Sequence, residues 1–167
     1  EVSLAAKYEG EYLRINHPQY QEKYKDSGSQ LCTVLARSFA DIGDIIRGKD
    51  LYIGNKKEKL DLEKNLQKIF GKIYEELKNG KTNGKVPENY YGEDGPNYYK
   101  LREDWWNANR LDVWKAITCN VSGSHYFRRT CSDDTTETQD NCQCIGGTVP
   151  TNLDYVPQYL RWFEEWA

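Results

Sequence analysis

Apolar residues recur every three or four positions along most of the chain, the signature of helices that each bury one face. Leu31, Val34, Leu35, Phe39, Ile42, Ile45 and Ile46 predict a helix capped by Ser29, running to about Arg47 and closed by Gly48. Leu62, Leu66, Ile69, Phe70, Ile73 and Leu77 predict a second over Lys56 to Lys78, with Asn55 and Glu58 as an N-x-x-E cap and Gly80 as its stop. The stretch from Tyr98 to Cys119 carries three of the five tryptophans. There Leu101, Trp105, Ala108, Leu111 and Ile117 form a stripe that Val113 and Trp114 widen. Helical spacing without interleaved basic residues makes these tryptophans packing groups rather than a platform for bases. Asn107, Asn109 and Arg110 beside the stripe are expected to tie neighbouring helices together.

The two ends read as helices as well. Glu1 to Asn16 places Leu4, Tyr8, Tyr12 and Leu13 on one face, and His17-Pro18 should end it, because a residue before proline is pushed out of helical angles. Asp154 opens a last helix that tolerates Pro157 in its first turn and draws apolar surface from Leu160, Trp162, Phe163 and Trp166. Repeats and strand-like alternation are absent. The expected class is all-α, a bundle of about four to five helices.

Two connections interrupt the pattern. Asn79 to Pro96 is rich in glycine, asparagine and proline. Its Gly80-Lys81-Thr82 echoes a phosphate-binding loop, but Glu75 stands where the first glycine belongs and a helix precedes it instead of a strand. Asn120 to Thr148 sets Arg128 and Arg129 against an acidic run of Asp133, Asp134, Glu137 and Asp140, and opens on the glycosylation sequon Asn120-Val121-Ser122. Four of the five cysteines, Cys119, Cys131, Cys142 and Cys144, lie in or beside this loop, with Cys32 far upstream. Such clustering points to an oxidised, extracellular framework. A zinc site from His125, Cys131, Cys142 and Cys144 is the rival, disfavoured because C-x-C does not easily place two thiolates on one tetrahedral ion. An odd count leaves one thiol over.

Composition narrows the function classes. At 167 residues the chain makes one domain or one compact piece of a larger one, and 38% hydrophobic with 13% aromatic residues is enough for a core. A charge of −3 and a pI near 5.5 disfavour nucleic acid, and no run is long enough to cross a membrane. The opening residues lack the pattern of a signal peptide, and with no methionine present both ends read as cuts inside a longer protein. Catalytic signatures are missing: there are two histidines, no H-E-x-x-H and no G-x-S-x-G. Cys119 with His125 is the one nucleophile–base pair to weigh, and a thiol held in a disulfide cannot attack. Arg37, Asp41 and Asp44 read as structural ion pairs. Lys64, Lys68 and Lys72 are more unusual, a like-charge row at i, i+4, i+8 on the polar face of their helix. No catalytic residue, metal or cofactor is expected.

Three long strings carry a resemblance. LARSFADIGDIIRGKDLYIGN (Leu35 to Asn55), LREDWWNANRLDVWKAITC (Leu101 to Cys119) and VPTNLDYVPQYLRWFEEWA (Val149 to Ala167) resemble, in order, the Duffy-binding-like alpha domain of the Plasmodium falciparum erythrocyte membrane protein one adhesins. The resemblance spans nearly the whole chain and corresponds mainly to the central helical subdomain; Lys56 to Tyr99 and Asn120 to Thr148 fall in the family's variable parts. It implies display on the outer face of the infected erythrocyte membrane as part of a larger anchored protein, antigenic variation, and binding to host erythrocyte or endothelial receptors. Rosetting-type partners are implied, namely complement receptor one, heparan sulfate or a blood-group glycan, together with host antibodies. Nucleic acid and membrane contact by this segment are not. Lys64, Lys68 and Lys72 with Arg128 and Arg129 are the candidate binding residues. The resemblance further implies that Cys119 pairs with Cys144 and Cys131 with Cys142. The opening EVSLAAKYEG resembles a stretch reading EVC-x-AAK-x-EG, so Ser3 stands where a partner for Cys32 is expected and Cys32 is left as the free thiol.

Overall fold

A computed structural model describes residues 1–24, 30–50, 55–80, 90–126, 128–132 and 134–161. Ser29, Lys81, Thr82, Asp133, Trp162, Phe163 and Trp166, on which some of the expectations above fall, lie outside the described residues. Four α-helices occupy the described part: α1 (Val2–Tyr24), α2 (Gln30–Arg47), α3 (Lys56–Asn79) and α4 (Tyr99–Ile117). Among these residues there is no strand, only isolated bridges between Ser124 and Asn141 and between Cys131 and Thr136. The all-α class holds. The backbone divides into two compact units, residues 1–43 with 109–167, and residues 44–108.

In the first unit, Leu31, Leu35 and Phe39 of α2 are buried as their spacing predicts, joined by Ala36 and Ala40. Phe39 meets the edge of Trp114 at a centroid distance of 5.3 Å, a favoured aromatic geometry. α1 departs from expectation twice. It continues through Pro18 to Tyr24, since a proline can be carried inside a helix at the loss of one backbone bond when helical residues flank it on both sides. Its buried face is also the opposite one: Ala6 and Gly10 point inward, while Leu4, Tyr8 and Tyr12 are exposed. The cause is close approach. A Cβ on Gly10 would overlap the carbonyl of Ile117, so α1 docks through its small residues, and the Ser38 hydroxyl donates to Glu9 at 3.1 Å beside them.

The second unit is organised by a buried arginine. Arg102 is fully buried; its Nε donates to the Ile46 carbonyl at 2.6 Å and its two Nη atoms grip the Glu63 carboxylate at 2.6 and 3.1 Å. Consequently the inward face of α4 passes through Arg102 and Trp106 here, one position on from the predicted Leu101–Trp105–Ala108 line. Leu101 is buried, Trp105 is half-buried against Phe70 and Ala108 is exposed. α3 begins as predicted, with the Asn55 side chain accepting from the amides of Lys57 and Glu58, and ends at Gly80. Only Leu66 and Phe70 of α3 are fully covered. The acidic residues of α2 serve as ion pairs, Asp44 with Arg47 at 3.4 Å here and Asp41 with Arg161 at 3.1 Å in the first unit.

The expected C-terminal α-helix does not start at Asp154. Two 3-10 turns, Leu153–Tyr155 and Gln158–Leu160, are separated by Val156 in extended conformation, as the residue before Pro157 requires. Asp154 is unavailable as a cap because both its oxygens accept from Arg110, each at 2.8 Å.

The cysteine pairing differs from the one the resemblance implied. Cys32 is bonded to Cys142 and Cys131 to Cys144, with Cα separations of 5.5 and 5.6 Å; Cys119, not Cys32, is the free thiol. Cys32 is fully buried in the first turns of α2, a position that the loop reaches across 110 residues of sequence. Cys142 has φ of 61°, which breaks extended alternation in the C-x-C and sends its two sulfurs to different partners. Ser3 therefore does not leave Cys32 unpaired.

Candidate functional site

Two surfaces hold the candidate binding residues, one in each unit. On α3, Lys64, Lys68 and Lys72 are all exposed and stand one turn apart, about 180° around the helix from Leu66 and Phe70. The helix covers Leu66 and Phe70, leaves Leu62 and Ile69 of its expected inner face exposed at 45% and 41%, and turns the lysines outward. Six Å between neighbours along the axis, as an order of magnitude, gives a row roughly 12 Å long. None of the three forms an ion pair among the described residues, whereas other lysines of the unit do find acceptors: Lys49 pairs with Glu103 at 2.7 Å and Lys59 donates to the Asp50 carbonyl at 2.8 Å. Three unneutralised ammonium groups on one rigid face repel one another and attract a polyanion or an acidic surface.

Arg128 and Arg129 occupy the crosslinked loop. The loop is irregular, so its shape comes from specific bonds. The Trp114 indole donates to the Cys142 carbonyl at 3.1 Å, the amide of Cys142 to the Ser124 carbonyl at 3.2 Å, and the amide of Tyr126 to the Thr138 hydroxyl at 2.9 Å. These bonds give buried polar groups partners, which is what lets a loop without helix or sheet pack closely, although the Thr130 hydroxyl is buried without one among the described residues. The two disulfides pin it further; loops of 110 and 13 residues correspond to about 5 and 3 kcal/mol in the chain-entropy model. On this frame Arg128 is half-buried and Arg129 is exposed, the latter 3.4 Å from Glu137. That ion pair is open to water and contributes little.

Both arginines line a cavity of about 330 Å³, together with Thr33, Tyr126, Asp134 and Asn152 among others. Thr33, Tyr126 and Asn152 come from three separate segments, and no spacing in the sequence marks them as neighbours. The Tyr126 hydroxyl is held by Thr151 at 3.2 Å, and Thr151 in turn gives its carbonyl to Arg110 at 2.9 Å. Arg110 thus has the tying role expected of it, but it joins α4 to the 3-10 turn after the loop and not to another α-helix.

The alternatives lose their chemistry. Cys131, Cys142 and Cys144 are taken up in disulfides, which leaves the zinc reading without thiolates. Cys119 is not in a disulfide, so that argument against a Cys119–His125 pair does not stand. However, the Nδ1 of His125 bonds the Thr138 carbonyl at 3.1 Å, and no hydrogen bond joins His125 to Cys119 among the described residues.

Comparison with known proteins places this architecture. The chain is 27% identical over 149 residues to the Duffy receptor gamma form of Plasmodium knowlesi, covering 87% of this chain and 10% of that protein. Of solved structures, the NTS-DBL1(alpha-1) domain of Plasmodium falciparum membrane protein 1 (PfEMP1) from the varO strain superposes with a TM-score of 0.75 at 44% identity, over 99% of this chain and 36% of that one. The PfEMP1 IT4var13 DBLbeta domain bound to ICAM-1 gives a TM-score of 0.63 at 35% identity, over 99% of this chain and 35% of that one. The chain therefore spans about a third of these solved domains. With residues 1–161 matching the model of the Duffy binding domain, and a helical, disulfide-bonded fold shared with solved PfEMP1 domains, this chain belongs to the Duffy binding domain family.

Proposed function

We propose that this chain is a receptor-binding module of a surface adhesin, shown to the host on the outer face of the infected erythrocyte, and that it carries no catalytic activity. The observation that supports this most directly is the exposed row of Lys64, Lys68 and Lys72 on α3, none of them in an ion pair among the described residues, in a family with a solved member bound to ICAM-1. The row selects acidic partners: a sulfated glycan such as heparan sulfate, or an acidic patch on a protein receptor such as complement receptor one. Arg128 and Arg129, beside a cavity large enough for one sugar ring, supply a second contact suited to a blood-group glycan. Exposed segments over a crosslinked helical frame also suit antigenic variation, because loop substitutions change the surface without disturbing the core.

Binding of the folded chain to immobilised heparin and to erythrocyte receptor ectodomains, at low and high salt, tests the reading. The triple variant Lys64→Glu, Lys68→Glu, Lys72→Glu should lose heparin binding, and the wild-type affinity should fall with ionic strength. Salt-insensitive binding, or full binding by the triple variant, would remove the lysine row from the contact. Loss only in Arg128→Glu with Arg129→Glu would move the contact to the loop.

A further inference from the structure

The first turns of α3 do not close against the rest of their unit. Between them, the last turn of α2 and the start of α4 lies a cleft of about 530 Å³, walled by Ile45, Leu60, Leu62, Leu66 and Tyr99 among others. That volume falls in the range of roughly 300–1,000 Å³ that encloses a ligand group. Leu66 is buried at its base, while Leu60 and Tyr99 stand 60% and 49% exposed. The Tyr99 ring is seated on Gly48, where a Cβ would come within 2.6 Å of it, so bare backbone fixes this wall. Two of the charges around the cleft are already engaged. Arg102 holds the Glu63 carboxylate, and the Lys59 ammonium donates to the Asp50 carbonyl at 2.8 Å, so an apolar group can enter without stranding either.

The lysine row begins at this cleft. Lys56, Leu60, Lys64, Lys68 and Lys72 follow one another at the i, i+4 spacing of neighbours on a helix surface. Lys56 and Leu60 line the cleft, and Lys64 is the next step. At about 6 Å per step the row reaches roughly 18 Å from Leu60. An apolar cleft and a cationic track are thus one continuous surface of α3. A sulfated glycan can neutralise the track but brings no large apolar group to fill the cleft, whereas a protein segment can bring both. At about 3.3 Å per residue, an extended segment covers that distance in about six residues.

Taking the lysine row as a contact, as above, we propose that the partner of this face is a protein segment: one or two large apolar side chains anchor in the cleft beside Leu60, Leu62 and Tyr99, and carboxylates about two to six residues away meet Lys64, Lys68 and Lys72. The anchor, desolvated in a pocket, supplies most of the affinity. The lysines supply attraction at a distance and set the direction in which the segment lies. The cleft therefore selects an acidic protein over a sulfated glycan, a choice the lysines alone do not make.

Panning a phage-displayed library of random dodecapeptides on the folded chain tests this, with immobilised heparin as the glycan probe. Enriched peptides should carry a large apolar residue with several Asp or Glu within about six positions of it. Leu60→Ser with Leu62→Ser should weaken these peptides roughly tenfold or more, with the helical circular dichroism spectrum and the elution from heparin unchanged. Leu60→Ser alone, at the more exposed of the two positions, should weaken them about threefold. Lys64→Glu, Lys68→Glu, Lys72→Glu together should weaken both the peptides and heparin. No enrichment, enrichment of acidic peptides without an apolar residue, or peptide binding untouched by the leucine changes overturns the protein segment as partner, and leaves the row as a contact so long as the triple variant loses heparin. Heparin lost in the leucine variant as fully as the peptides places the glycan across the cleft and overturns it equally. If the triple variant keeps both ligands, the reading of the row as a contact fails as well.

Discussion

Replacing Arg102 by methionine removes a group on which the unit of residues 44–108 depends. The guanidinium is fully buried and donates to the carbonyls of Ile46 at 2.6 Å, Ile45 at 3.2 Å and Asn97 at 3.2 Å, besides its fork onto Glu63. Two of those carbonyls belong to the last turn of α2, where a helix runs out of its own donors. Methionine fills the space of the arginine stem but offers no donor. Removing one partner from a buried ion pair costs about 3–5 kcal/mol. The Glu63 side chain is 29% exposed and keeps some water, which puts the loss near the lower end, about 3 kcal/mol. With a urea m-value of about 2 kcal/mol per M, the midpoint should fall by about 1.5 M, read by tryptophan fluorescence and far-ultraviolet circular dichroism together. Arg102→Lys keeps the charge but cannot fork, and should lose about half as much. A loss below about 1 kcal/mol for the methionine variant would refute the reasoning, since it would mean that water or a neighbour replaces every one of those bonds.

Other consequences are equally direct. Gly10→Ala should destabilise by about 1–3 kcal/mol in spite of alanine's better helix propensity, because the new methyl meets a backbone carbonyl of Ile117 that cannot swing away; thermal unfolding measures it. A non-reducing peptide map should recover Cys32–Cys142 and Cys131–Cys144, with one equivalent of alkylating label on Cys119; label on Cys32 would contradict the pairing. Burial pushes the Tyr91 phenol above its ordinary value of 10.0, and the Asp104 carboxylate that accepts its proton at 2.6 Å pushes the same way. A group raised on folding stabilises fully below its unfolded value and loses that contribution as pH climbs past it. Stability should therefore decline above about pH 10 in the wild type and decline less in Tyr91→Phe, with denaturant midpoints against pH as the readout.

How far the sequence could be read depended on what each residue leans against. The stripe of α2 was legible because large aliphatic residues at helical spacing have one reasonable place to go, and Asn55 announced the start of α3 through a cap that needs only local geometry. α1 was misread for the converse reason. Its inward face is made of Ala6 and Gly10, which look like nothing in a hydrophobic pattern and become a core only when the Ile117 backbone comes close. Trp105 and Trp106 are adjacent, and choosing between them required knowing that Arg102, a residue any pattern assigns to solvent, is buried by Glu63 and the end of α2. The disulfides followed a contact between residues 110 positions apart, which spacing inside the loop could not show. Of the candidate site, the lysine row was visible because i, i+4, i+8 is intrinsic to one helix. Thr33, Tyr126 and Asn152 around the arginine cavity were not, because only the folded chain brings them together.

The reading of this chain as a receptor-binding surface is tested most directly by acetylating its lysines, with and without intact erythrocytes, and following each site by mass spectrometry. Lys64, Lys68 and Lys72 should label several-fold more slowly on cells, while Lys115, exposed on α4 in the other unit, serves as the reference and keeps its rate. Equal labelling of the row and of Lys115 under conditions where the chain is bound would contradict the account.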